Sequence, residues 1–206
     1  MFPDLTRDDV FRLETQRLWL RWPRAADTAA IVAIAGHKIV AEQTSRIPHP
    51  YPQGASDDFI LNARRFNTAG EALNLVLALR SGNRDVIGFI SAEMKSESKA
   101  EIGYALHPDH WGQGYMHEAV QTMVSTLFSL TPVREIMATV RASNARSRRV
   151  LETCGFTHSG SGFCKVLALG GEFPSEIFRL EQKTWESQNS WYASRQNYQP
   201  DAAVLI

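Results

Sequence analysis

Residues 106–118 read Leu-His-Pro-Asp-His-Trp-Gly-Gln-Gly-Tyr-Met-His-Glu, and Gly112 and Gly114 stand where an alternating apolar stretch gives way to a helical one. Glycine lets a backbone curl until successive amides point inward, and a helix that follows adds unpaired amides and the positive end of its dipole. The chemistry on offer is anion binding by backbone N–H groups, as in a phosphate cradle. The two common nucleotide motifs do not fit. A dinucleotide fingerprint wants a third glycine three residues after Gly114, where His117 stands, and a P-loop wants Gly-Lys followed by Ser or Thr. Taken alone, the two glycines are explained equally well by a tight strand-to-helix turn.

A second segment shifts that balance. Asn144-Ala-Arg-Ser147-Arg-Arg-Val-Leu-Glu-Thr-Cys-Gly155-Phe156 follows the next strand at the distance of one crossover. With Trp111-Gly112-Gln113-Gly114-Tyr115 it resembles the GNAT superfamily of acyl-CoA N-acyltransferases, and within it the RimJ/RimL branch that acetylates N-terminal amines of ribosomal proteins. The likeness runs over residues 13–185 and includes Leu-Glu-Thr-Gln-Arg-Leu, the Pro-His-Pro-Tyr-Pro loop and Glu101-Ile-Gly-Tyr-Ala-Leu.

The resemblance implies acetyl-CoA as co-substrate, a primary amine as acceptor (a protein N-terminus or a small amine) and no metal. It implies that the amides of Gln113, Gly114, Tyr115 and Met116 bind the CoA pyrophosphate, with Gly112 allowing close approach. Leu106 at the strand end and Arg149 on the basic helix complete the implied cofactor set. Asn144 either caps that helix or hydrogen-bonds the pantetheine, and the resemblance favours the second. Two positions depart from the commoner pattern: Trp111 stands for Arg or Gln, and Met116 for Gly or Ala, where its side chain would crowd the pyrophosphate. The departure at Met116 and the aromatic tail motivate an alternative, a CoA-binding sensor or partner module without the chemistry.

Acyl transfer to an amine needs the amine deprotonated, the carbonyl polarised and the leaving thiolate reprotonated. Glu101 occupies the strand position where several members of the superfamily place a general base; as a plain residue it reads equally as a surface glutamate of an edge strand. Ser147 is a candidate proton donor to the thiolate, with Tyr104 and Tyr115 as rivals. Cys154 precedes a helix-ending glycine and reads as buried, so direct attack by the amine is expected. His107, His110 and His117 lack a carboxylate or cysteine at ligand spacing and read as a loop cluster, not a metal site.

Around these residues the sequence predicts an α/β (α+β) chain. Alternation marks strands at 17–22, 73–79, 86–92, 100–106, 136–140, from Phe156 onward and at 175–180. Helical spacing marks segments after Asp27, after Ser56 or Asp57, at 117–130 and at 144–154, with Phe59, Ile60, Ala63 and Phe66 as the buried stripe of the second. Three prolines exclude helix from 47–54, which reads as a loop or lid. The result is a mixed, mostly antiparallel seven-stranded sheet with a central βαβ unit and about four flanking helices, as the resemblance also implies. It further implies that strands 100–106 and 136–140 lie parallel and splay apart to admit pantetheine, with Gly103 as a candidate bulge.

The chain has 206 residues, 44% of them hydrophobic, enough for one domain over 1–206 that holds together without disulfides. Its 22 basic and 22 acidic residues balance, so no global field favours nucleic acid or an anionic membrane. The two cysteines and the absence of a signal-like or membrane-spanning stretch point to a cytoplasmic protein. Residues 186–206 form a polar tail that nonetheless carries Trp191, Tyr192, Tyr198 and Val204-Leu205-Ile206. Such a tail is either disordered or docked, the latter suggesting a homodimer.

Overall fold

A computed structural model of the chain describes residues 1–196. Strands β1 (Arg12–Glu14), β2 (Leu18–Arg21), β3 (Ala72–Leu79), β4 (Val86–Met94), β5 (Lys99–Leu106), β6 (Glu135–Arg141), β7 (Thr157–Val166) and β8 (Gly171–Glu181) form one sheet in the order β1-β2-β3-β4-β5-β6-β8-β7. All neighbours pair antiparallel except β5 and β6. The eighth strand, absent from the sequence expectation, is β1. Its three residues are too few for alternation to register, and it is held by pairing Arg12 with Arg21 and Glu14 with Trp19.

Six helices, rather than about four, accompany the sheet among the described residues: α1 (Thr28–Ala35), α2 (Lys38–Ala41), α3 (Ala55–Ala69), α4 (Tyr115–Leu130), α5 (Ala145–Thr153) and α6 (Gln182–Gln196). α2 is a single turn and α6 has no apolar stripe, so neither carries the periodicity that reveals a helix. α6 occupies much of the stretch read as tail, and its Trp185 packs on Phe128 with ring centroids 5.4 Å apart. The dimer expectation leans on Trp191, Tyr192, Tyr198 and residues 204–206; the side chains of the first two, and Tyr198 and 204–206 altogether, lie outside what the structure describes. No helix among the described residues is long and apolar enough to cross a membrane.

α3 starts one residue before the predicted caps. Gly54, with φ +80°, turns the chain into the helix, Ser56 is buried within its first turn, and Asp57 accepts a hydrogen bond from the Thr28 hydroxyl at 2.8 Å. The loop 47–54 is free of helix, as its prolines require.

Side-chain parity divides the sheet into two faces. Ile90, Ala92, Ala100 and Ile102 face α4, which buries Val120, Met123, Val124 and Leu127 to 1% exposure or less. Each such side chain stabilises the fold by about 1.5–3 kcal/mol. The opposite face, carrying Phe89, Ser91, Glu93, Glu101, Gly103 and Ala105, meets α1, α2 and α3, where Ile34, Val40, Ala41 and Ile47 form a smaller core with Ala105. That second core leaves part of the face uncovered.

Candidate active site

The uncovered part is a cleft of about 1840 Å³ that reaches from the 112–117 turn and α5, across β5 and β6, to α3. Its geometry starts from the two parallel strands. β5 and β6 pair only at Lys99–Glu135, Ala100–Ile136 and Glu101–Met137, and the remaining residues of both strands diverge. The predicted splay is therefore present, but not through a bulge at Gly103: β4 and β5 pair without a shift from Gly88–Leu106 to Met94–Ala100. Beyond Glu101 and Met137 the two strands have no ladder partners in each other.

The turn after β5 is built as the glycines predict. Gly112 and Gly114 have φ of +74° and +79°, the left-handed region where a side chain is strained. The amides of residues 113–117 donate to no group among the described residues, so five N–H groups at the start of a sixteen-residue helix lack partners. Unpaired amides at a helix start attract an anion.

Met116 does not crowd this cradle. Its side chain is 6% exposed and belongs to the core with Leu106 and Val120. Trp111 explains its own presence: the indole N–H donates to the Leu106 carbonyl at 2.9 Å, and the Arg146 guanidinium lies 4.9 Å from its ring centre. Leu106 thus serves the turn through its carbonyl.

A residue that the sequence argument missed as functional, Arg17, braces the turn from β2's edge. Its guanidinium donates to Glu118 at 2.7 Å and to the Gln113 carbonyl at 2.7 Å, and it sits 4.5 Å from the Tyr115 ring centre. The Arg17 backbone N–H donates to the same carboxylate at 2.8 Å. Burial pulls the Glu118 carboxyl upward, but hydrogen bonds from Thr15 and Arg17 outweigh it and leave it below the usual glutamate value. Arg17 lies in the Leu-Glu-Thr-Gln-Arg-Leu stretch quoted for the resemblance; its partner stands 101 residues on.

On the other side of the gap, Asn144 Oδ1 accepts the Ser147 amide at 3.1 Å, the capping alternative. Ser147 Oγ lies 2.9 Å from the Tyr104 hydroxyl, joining two predicted candidates across the gap between α5 and β5. Burial raises the Tyr104 phenol above its usual value, with the Ser147 hydrogen bond opposing, so it is a proton holder at neutral pH. Tyr115, the third candidate, is engaged by Arg17. Arg146 and Arg149 line the cleft, whereas Arg148 pairs with Glu176 at 2.8 Å, so the basic helix divides its charges as its periodicity requires.

Glu101 is half-buried at the last paired position of the β5–β6 ladder. Thr139 donates to its Oε1 at 3.3 Å, and Lys95 Nζ lies 2.9 Å from Oε2. Lys95 also pairs with Glu93 at 3.0 Å, and Arg46 binds Glu93 through both guanidinium nitrogens. Thr139, Lys95, Glu93 and Arg46 had no signal in the motif spacing.

Burial pushes the Cys154 thiol up to about 12, so it stays protonated and inert. His107 shares a hydrogen bond with His37, Nε2 to Nε2 at 3.1 Å. Burial, with His37 and His110, holds it below the usual histidine value against the pull of Asp109. No three His, Cys, Asp or Glu side chains among the described residues are arranged to hold a metal.

An open parallel pair beside a ring of free amides is a cofactor site of recognisable kind, and residues 17–157 match the acetyltransferase (GNAT) domain. The chain belongs to the GNAT acetyltransferase family, the acyltransferases that draw their acyl group from acetyl-CoA. Among curated relatives it is 27% identical to the uncharacterized N-acetyltransferase p20 of Bacillus licheniformis over 150 residues, 72% of this chain and 83% of that protein. It is 35% identical to the uncharacterized N-acetyltransferase YoaA of Bacillus subtilis over 83 residues, 39% of this chain and 47% of that one. The stretch matched therefore spans about half of YoaA. Among solved structures, Mycobacterium smegmatis RimJ in complex with CoA-disulfide superposes with a TM-score of 0.72 at 20% identity, covering 86% of this GNAT chain and 90% of RimJ. The shared fold includes the RimJ/RimL type expected from the motifs.

Proposed function

We propose that this chain transfers an acetyl group from acetyl-CoA to a primary amine by direct attack within a ternary complex. The observation that carries the reading is the early end of the β5–β6 ladder next to the unpaired amides of 113–117. Unpaired backbone groups along the gap match an amide-rich pantetheine arm as they would match an added strand. The free amides match the pyrophosphate, and Arg149 adds local positive charge. Asn144 holds the first turn of α5 and so fixes the Ser147 hydroxyl at the gap.

When bound, acetyl-CoA supplies the activated thioester. Glu101 takes the proton from the acceptor nitrogen, directly or through water, as that nitrogen bonds to the acyl carbon. The pair Tyr104–Ser147 delivers a proton to the sulfur as the carbon–sulfur bond breaks, with the phenol protonated beforehand because it is buried. Cys154 takes no part. The sensor alternative loses its main motive because Met116 points into the core.

Titration calorimetry with acetyl-CoA, followed by thiol release across peptide amines, polyamines and aminoglycosides, tests the reading. Binding with turnover of at least one amine is expected. Binding without turnover would favour the sensor, and no binding would overturn both.

A further inference from the structure

Where the backbone pairing of β5 and β6 stops, at Glu101–Met137, a side chain takes over. The Thr139 hydroxyl, two residues further along β6, donates to Glu101 Oε1 at 3.3 Å. Alternate residues of a strand share a face, so Met137, Thr139 and Arg141 all stand on the face that carries Glu101. Of the three only Thr139 offers that carboxylate a donor. The Met137 side chain has no N–H or O–H, and the Arg141 guanidinium donates to the Glu42 carbonyl and lies over the Phe173 ring.

The two oxygens of Glu101 are therefore unequal. Oε2 faces the Lys95 ammonium at 2.9 Å, a cation that Glu93 shares at 3.0 Å. Among the described residues, Oε1 has the Thr139 hydroxyl alone. A carboxylate oxygen accepts along two lone pairs, so Oε1 keeps one for a further donor, and both Glu101 and Thr139 line the cleft. Their place along the gap matters as well. The gap runs from the free amides of 113–117 down to Glu101 and Met137, and the Thr139–Glu101 bond stands at its closed end. The reacting end of an arm anchored at the amides points toward it.

Threonine is common on strands for its packing alone. Here the residue is exposed, and its hydroxyl has no other partner among the described residues. Resting on the acyltransferase reading above, with Glu101 as the base, we infer that Thr139 is a positioning residue: its hydroxyl holds Glu101 so that Oε1 is the atom that takes the acceptor's proton. The proton passes from the acceptor nitrogen to Oε1 as the nitrogen lone pair bonds to the acyl carbon, and Thr139 keeps its own proton. A glutamate free to turn about its last bonds presents that oxygen only part of the time, whereas one tied at Oε2 by Lys95 and at Oε1 by Thr139 is oriented beforehand. The bond is long for two oxygens, as catalytic hydrogen bonds commonly are before substrate tightens them.

The test follows thiol release from acetyl-CoA with the peptide Ser-Ala-Ala, 1,4-diaminobutane and kanamycin as acceptors, using whichever turns over fastest. Thr139→Val, which keeps the shape and removes the hydroxyl, should lower kcat about 10-fold. The acetyl-CoA dissociation constant and the urea midpoint should stay close to those of the wild type. Thr139→Ala should show the same loss, and Thr139→Ser should stay within about threefold of the wild type because the donor is restored. In a Glu101→Gln background Thr139→Val should cost less than about twofold, since no carboxylate is left to hold. A Thr139→Val kcat equal to that of the wild type, a serine variant as slow as the valine one, or an undiminished loss in the Glu101→Gln background overturns the inference. If Glu101→Gln is slow in that case, the enzyme reading stands without it. A Glu101→Gln variant with full kcat, or no turnover of any acceptor by the wild type, removes the reading of the base or of the enzyme and the inference with it.

Discussion

At the scale of single residues, the reading depends on where protons reside. Glu101 is the carboxylate nearest the parting of β5 and β6, and its neighbours are a lysine and a threonine, not apolar groups. Removing its basicity while keeping its shape should slow the chemistry and spare cofactor binding. Glu101→Gln is expected to lower kcat by roughly 10²-fold with the acetyl-CoA dissociation constant little changed. An unaltered kcat across the pH range would reduce Glu101 to a strand residue. Cys154 gives the complementary expectation. A thiol held at about 12 by burial is no nucleophile, so Cys154→Ala should retain turnover. A folded variant with none would mean a covalent intermediate. Glu101, Tyr104 and Ser147 could be named as candidates from the sequence because they stand in contiguous motifs. The pairing of Tyr104 with Ser147 spans 43 residues, and nothing in a linear pattern reports which of three hydroxyl candidates meet.

At the scale of elements, the proposed cradle is braced from outside its own loop. Gly112 and Gly114 supply the curvature, but curvature alone leaves a loose loop. Arg17 ties the Gln113 carbonyl, the Tyr115 ring and Glu118 to the start of β2, so the five free amides keep a fixed direction. Rigid donors lose less on binding than mobile ones. Arg17→Ala should therefore weaken acetyl-CoA binding by about 10-fold in calorimetry, although Arg17 need not touch the cofactor. An unchanged affinity would show that the glycines suffice. The strands and α4 were legible here because their periods are long and regular. β1, α2 and α6 were not: three residues, one turn and a helix without an apolar stripe carry no period to read. Gly103 misled as a bulge because a lone glycine in a strand need not kink it, and the ladder with β4 runs through Ser91–Gly103 without a shift.

At the scale of the whole molecule, the acceptor-side loops are joined to the sheet by charge. Arg46, in the loop after α2, grips Glu93 on β4, and Glu93 in turn shares Lys95 with Glu101. The Arg46 hydrogen bond, stronger than the opposing effect of burial and reinforced by Lys95, holds the Glu93 carboxyl down at about 2. A carboxyl depressed in the folded state stabilises fully above its ordinary value near 4.5 and loses that contribution as pH falls toward 2. The pair is partly exposed, with 71% of the Arg46 side chain accessible, so salt and water screen it and its share of the total is modest. It is nevertheless an ionic contact from the loop carrying Ile47 and Tyr51 to the cleft floor. Urea midpoints measured from pH 7 to pH 2 should fall for the wild type below about pH 4.5, and the Glu93→Gln variant should start lower at pH 7 and fall less over that window. The two curves should converge at the acid end, where Glu93 is protonated in both states and resembles the amide. Parallel curves would mean that the unfolded chain holds Glu93 as strongly as the folded one, and the loop would then owe its place to Ile47 in the second core and to the Leu167 N–H on the Ser45 carbonyl.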